Sequence, residues 1–274
     1  MNNISLFSQS LFALSLKEAI DTTIQIGFDA IELACISPHF DIDTALNNPD
    51  NIADYIKNSG LKVSALSLFN NFTDHQNLDD EINKAITYIK LAPLFETKII
   101  KVTPGSPSSI NATKEHWNNL EIAIKRLLPI AKSVGVKLAF ETHMRQLTDT
   151  LAGSKKLLEI INSDIIGLTV DFSNLSFANE NLSEAIYILK DRIYNTHLKN
   201  GTIDPDGKWN FKALNDGLTD YKKVFPLLHD IGYNGYLTIE CLSSDAKTKP
   251  IETVKHDLDI LLMLKSKYYD SLTK

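Results

Sequence analysis

Two cysteines, Cys35 and Cys241, are too few for a disulfide framework in 274 residues. Each follows a short apolar run, where a small buried thiol is the ordinary reading, and a reducing compartment fits. No apolar run approaches the roughly 18 residues of a membrane span. The start, MNNISLFSQSLFALSLKEAI, has neither the basic segment nor the small-residue cleavage site of a secretory leader. We therefore expect a cytoplasmic protein with no membrane partner. Basic residues are also short: 28 Lys and Arg face 34 Asp and Glu, for a formal charge of -6. That balance argues against a surface built to grip phosphate backbones, so no nucleic-acid partner is expected. Low-complexity tracts, Pro/Ser-rich linkers and shifts of composition are lacking too, which predicts one domain over residues 1–274.

What the chain does have is a recurring phrase. A helix-period segment meets Gly, and a short apolar run then ends in a polar or acidic residue. The stretch from Ile26 through Gly27 to Glu32 is echoed from Ile231 through Gly232 to Glu240, and Gly60 and Gly135 mark two further copies. In each, Gly supplies a left-handed helix stop and the following residues enter a strand. Between the joints lie apolar stripes of helical period, such as Leu16, Ala19, Ile20, Thr23 and Ile24, opened by Ser15 and Glu18 at capping-box spacing. Similar stripes run through 82–89, 117–131, 182–189, 221–231 and 254–262. Strands are predicted at 4–7, 30–32, 62–67, 98–102, 137–141, 166–171, 193–197 and 236–240. Eight short apolar strands alternating with helices imply right-handed βαβ units, and the fold class read from them is α/β, a closed (β/α)8 barrel. A barrel of this kind needs about 250 residues, which this chain supplies. It can bury roughly three quarters of its unfolded surface, so any bound metal would serve chemistry rather than stability. The weakly patterned stretches 33–50, 103–112 and 198–219 all follow strands, on the side where barrel enzymes build their sites.

Four consecutive strand units end in side chains able to hold a metal: Glu141, Asp171, His197 and Glu240. Their separations of 30, 26 and 43 residues allow one βα unit apiece, with a longer insertion in the third. A single carboxylate at a strand end more often caps a helix or pairs with Lys. Three carboxylates and an imidazole converging on one rim are another matter, because that much negative charge needs a cation. Mixed oxygen and imidazole ligation suits one divalent ion, Mn²⁺, Mg²⁺, Co²⁺ or Zn²⁺, without choosing among them.

At these residues the sequence resembles the sugar phosphate isomerase/epimerase superfamily, the xylose isomerase-like TIM barrels. That superfamily includes ketose 3-epimerases, hydroxypyruvate isomerase, inosose dehydratases and the endonuclease IV branch. The likeness is carried by FDAIEL at 28–33, FETH around Glu141, VDFSN at 170–174, THLKN at 196–200 and GYLTIE at 235–240. It implies that Glu141, Asp171, His197 and Glu240 are the metal ligands, and that Glu141 and Glu240 are the acid/base pair. The implied reaction is isomerisation or epimerisation of a small ketose, sugar acid or cyclitol-derived ketone through an enediolate. An inosose-dehydratase-like lyase is the nearest alternative, and an endonuclease IV-type hydrolase a remote one, since the third strand ends in SALSLFNNF with no His. The resemblance also implies a homo-oligomer, dimer or tetramer. Two departures fall at substrate-contacting places: Asn174 stands where many members carry His, and Asn200 where many carry Asp.

Other residues at the predicted rim are candidates for substrate contact. His143 lies two residues past Glu141. Lys199 lies two past His197, and Arg145 sits on the loop after the fifth strand, where it could clamp a carboxylate or phosphate. Asn174 and Glu32 complete the set, Glu32 in a supporting role at the end of the second strand. His39 and His75 are read as exposed loop histidines. Trp209 and Phe211 could roof a sugar ring or pack as core, and PGSPSS at 104–109 reads as an ordinary turn.

Overall fold

The computed structural model describes residues 3–273. Its strands are β1 (Ile4–Phe7), β2 (Ala30–Ala34), β3 (Lys62–Ser67), β4 (Ile99–Val102), β5 (Lys137–Glu141), β6 (Ile166–Asp171), β7 (Ile193–Leu198), β8 (Asn200–Ile203), β9 (Trp209–Lys212) and β10 (Leu237–Ile239). The helices are α1 (Leu16–Ile26), α2 (Ile42–Asn47), α3 (Pro49–Asn58), α4 (Leu78–Leu91), α5 (Lys114–Val134), α6 (Leu151–Ile160), α7 (Phe172–Phe177), α8 (Leu182–Leu189), α9 (Tyr221–Asp230), α10 (Ser244–Thr248) and α11 (Pro250–Tyr268). Eight parallel strands close in the order β1-β10-β7-β6-β5-β4-β3-β2. These are the eight strands expected from the sequence, moved by at most two residues at their ends.

Local chemistry explains the joints. Ser15 and Glu18 form the capping box of α1, with Glu18 Oε2 accepting from the Ser15 backbone N–H at 2.9 Å. Gly27 ends α1 at φ 102° and Gly135 ends α5 at φ 72°, both in the left-handed region where a Cβ is strained. Each helix then turns its apolar stripe to the barrel wall; on α5, Trp117, Leu120, Ile124, Leu127 and Ala131 are all buried. Strands covered on one face by helices and closed on the other are buried along nearly their whole length.

The lumen itself is polar and hydrogen-bonded. Ser5 Oγ lies 2.7 Å from Ser64 Oγ, Asn195 Nδ2 donates to Glu32 Oε2 at 2.8 Å, and Thr238 Oγ1 donates to Asn195 Oδ1 at 3.4 Å. Buried polar groups are tolerated only when paired in this way, and the ladder stiffens the wall below the rim.

Two of the stretches read as weakly patterned carry structure. Residues 33–50 lead into α2 and α3, and 198–219 fold into an antiparallel hairpin, β8 against β9. His39 is a correction: it is buried, with Nδ1 3.0 Å from Ser8 Oγ and Nε2 3.3 Å from the Leu14 carbonyl. These loop-to-barrel bonds draw it inward. His75 is exposed, as expected. In the 104–109 turn the backbone N–H groups of Gly105 and Ser109 donate to Gln146 Oε1 and Asp149 Oδ1. Among the described residues no helix is long and apolar enough to cross a membrane.

Candidate metal centre

Glu141 ends β5, Asp171 ends β6, His197 lies one residue from the end of β7 and Glu240 follows β10. Because β5, β6, β7 and β10 are neighbours in the barrel, four residues spread over 100 positions share one sector of its C-terminal rim. One ligand atom from each lies within 4.8 Å of the others, and all four side chains are buried. An ion held at about 2.0–2.2 Å from its ligands spaces them by no more than about 4.4 Å, so a slight contraction closes the set.

The imidazole is the most informative member. Nε2 of His197 lies 2.9 Å from Glu32 Oε1. Nδ1 is buried without a hydrogen-bond partner and faces Glu141 Oε1 at 3.4 Å and Glu240 Oε2 at 3.8 Å. A carboxylate on one ring nitrogen selects the tautomer that leaves the other nitrogen's lone pair free, the arrangement by which proteins prepare a histidine for a metal. The residues present therefore fit a divalent cation. With no ion, burial pulls the His197 pKa down, but Glu32 and Glu141 outweigh it and push it up to about 10.

Two lysines complete the electrostatics. Lys199 Nζ lies 2.7 Å from both Asp171 Oδ2 and Glu240 Oε2. Lys101, on β4, places Nζ 2.7 Å from Glu141 Oε2 and 4.6 Å from the centre of the Phe69 ring. Burial alone would raise the Glu141 carboxyl, yet Lys101, His143 and His197 hold it well below the usual carboxylate range. Asp171 goes the other way: its burial, with Glu240 and Glu141 nearby, outweighs Lys199 and raises it. Its second oxygen, Oδ1, is occupied by the backbone N–H groups of Ser173 and Asn174, both at 3.0 Å, as the N-cap of α7.

The remaining candidates are placed as follows. Glu32 is fully buried and has one oxygen on His197 and the other on Asn195, so it meets the site through His197. Asn174 is buried with both side-chain amide atoms unpartnered, a costly state that a ligand oxygen would relieve. His143 is half-buried, with Nδ1 2.9 Å from the Met144 carbonyl. Arg145 is exposed, and its guanidinium stacks 4.4 Å over Trp209 on β9. Phe211, two residues on, reaches Lys199 Nζ at 5.7 Å, so the hairpin leans over the Lys199 side of the rim. Asn200 is engaged in structure: it bonds to Leu214, Thr219 and Gly201 and anchors the hairpin. Lys101 was not among the candidates. Its signal was one charge in the apolar run Ile99-Ile100-Lys101-Val102.

Residues 20–265 match the family described as the xylose isomerase-like TIM barrel. The chain belongs to that family. It is 26% identical over 164 residues to an inosose dehydratase of Clostridium perfringens, a match covering 55% of each chain. The chain thus spans about half the length of that curated relative. By fold it resembles the IOLI protein solved with a bound zinc atom, at TM-score 0.84 and 18% identity over 97% of this chain and 99% of that one. It also resembles an L-ribulose 3-epimerase, at TM-score 0.81 and 22% identity over 98% and 96%. Its relatives in this fold are inosose dehydratases and sugar epimerases.

Proposed function

We propose that this chain is a metal-dependent isomerase or epimerase of a small polyhydroxy ketone. Glu141, Asp171, His197 and Glu240 would hold one divalent ion. The observation that carries the reading is the buried, unpartnered Nδ1 of His197 turned toward the carboxylates of Glu141 and Glu240. A divalent ion held by these residues would supply Lewis acidity, polarising a substrate carbonyl so that the neighbouring C–H becomes acidic. Glu240 then accepts that proton as carboxylate, and the electron pair of the broken C–H bond moves toward the carbonyl. Return of that proton to the adjacent carbon would move the carbonyl; inversion of the carbon would instead have Glu141 take up a proton from solvent and deliver it to the other face, while Glu240 releases its own to solvent. Lys199, beside Glu240, keeps its oxygen oriented, and Asn174 offers an amide to a substrate hydroxyl.

The identity to inosose dehydratases supports a second reading with the same first step. Loss of a β-hydroxyl after proton removal would then release water and leave an enone. Proton NMR of ketoses, tetruloses and inososes in D₂O with metal-loaded protein tests both. Exchange at the carbon beside the carbonyl is expected, with an ultraviolet enone band only for dehydration. No exchange in any of them rejects both readings.

Two further outcomes follow from the ligand set. Glu32→Gln keeps a hydrogen-bonding partner for His197 but removes its charge, and metal affinity by titration calorimetry should fall about 10- to 100-fold. A change below about twofold would remove Glu32 from this role. The ion also competes with the proton that His197 carries up to about pH 10. Affinity should therefore rise about tenfold per pH unit between about pH 6 and 8, with one proton released per ion bound. A flat profile would show that His197 is no ligand.

A further inference from the structure

Among the described residues eight charged side chains are buried: Glu32, Glu141, Asp171, Glu240 and Asp257, with Lys101, Lys199 and Lys265. Two of them stand apart from the site. Lys265 pairs with Asp270, and Asp257, on α11, bonds to the Leu214 backbone N–H and to Cys241 Sγ. That leaves four carboxylates and two lysines around the candidate metal centre. An imidazole that donates through Nε2 and ligates through Nδ1 adds no charge. The lysines offset half of the acids and a divalent ion would offset the rest, so with a neutral His143 the loaded site would carry no net charge.

Each lysine is also already engaged. Lys101 lies on Glu141, and Lys199 bridges Asp171 and Glu240, all at 2.7 Å. Asp171 Oδ2, ion-paired to Lys199, and His197 Nδ1 lack hydrogen-bond partners but belong to the ligand set. The other buried side-chain atoms still seeking bonds at this end are neutral: the whole amide of Asn174, Oγ of Ser67 at the tip of β3 and Oδ1 of Asn70. Arg145 is exposed on Trp209, where water screens its charge.

Resting on the reading of this site as a metal-dependent ketone enzyme, we infer that its substrate is an uncharged polyol ketone, with neither phosphate nor carboxylate. A substrate anion here would leave an uncompensated charge in a buried site, which is strongly unfavourable. A neutral ketone leaves the balance unchanged throughout, because the proton leaving carbon stays on a carboxylate within the same site. Hydroxyl groups, which both donate and accept, also match an amide and a serine that lack partners.

The test uses the metal-loaded protein and matched compounds: a free ketose, its terminal phosphate and the corresponding keto acid, each followed by exchange in D₂O. In parallel, binding of unreactive counterparts (a free cyclitol, its phosphate and an aldonate) is measured by calorimetry. The uncharged member is expected to lead in kcat/KM and in affinity by about tenfold or more over both anions. Equal or better turnover or binding of an anionic member overturns the inference, as does a selective loss of anion binding in Arg145→Ala. If nothing exchanges yet the uncharged compound binds selectively, the inference stands and the assigned reaction falls.

Discussion

Glu240→Gln is expected to lower the rate of substrate proton exchange in D₂O by about 10²- to 10⁴-fold, the usual contribution of a placed general base. Gln keeps an oxygen where Glu240 keeps one, so metal content should stay near one ion per chain while chemistry is lost. The side chain is buried and held at 2.7 Å by Lys199, so its amide replacement has no room to swing clear. Exchange that persists undiminished in the loaded variant would take Glu240 out of the proton path. Loss of both metal and exchange would reduce it to a ligand.

Lys101→Met is expected to have the largest effect on stability. Lys101 is 1% exposed and pairs with the equally buried Glu141. Removing one partner of such a pair leaves an uncompensated charge and costs about 3–5 kcal/mol. For a domain of this size that corresponds to a fall in Tm of roughly 10 °C. Lys101→Met with Glu141→Gln removes both charges, and about half or more of the lost stability should return. Thermal unfolding of the metal-free proteins measures both. A single-variant loss below about 1 kcal/mol would mean that water reaches the pair and that the balance of charges at the rim is looser than described.

The difference between these residues also explains what could be read from the chain. Glu141, Asp171, His197 and Glu240 each terminate an apolar run, and the alternation of strands and helices brings such ends to one rim. Their convergence needed only the topology. Lys101 lies within a four-residue strand, and its partner is 40 positions away. A lone lysine there looks the same whether it snorkels to water or crosses the lumen to an acid. Only the register, which sets Lys101 beside Ala139 on β5, brings it to Glu141.

Similar reasons hold elsewhere. His39 reads as exposed because its loop is polar, but Ser8 and the Leu14 carbonyl, from another loop, bury it. Trp209 and Phe211 read as a lid or as core, and the hairpin they belong to goes unread because four-residue strands closing on themselves are marginal and depend on anchors such as Asn200. Helix α3 leaves little trace in the sequence because its buried positions are few, Ala53 and Ile56 on a polar background. Glu32 was placed at the rim by its phrase. Its commitment to His197 joins β2 to β7, across the barrel, where no local pattern reaches.

Anomalous scattering from crystals loaded with Mn²⁺ tests the central claim most directly. One peak is expected at the rim, about 2.0–2.3 Å from Nδ1 of His197 and from one oxygen each of Glu141, Asp171 and Glu240. A peak elsewhere, or His197 turned so that Nδ1 faces away from the carboxylates, would contradict it.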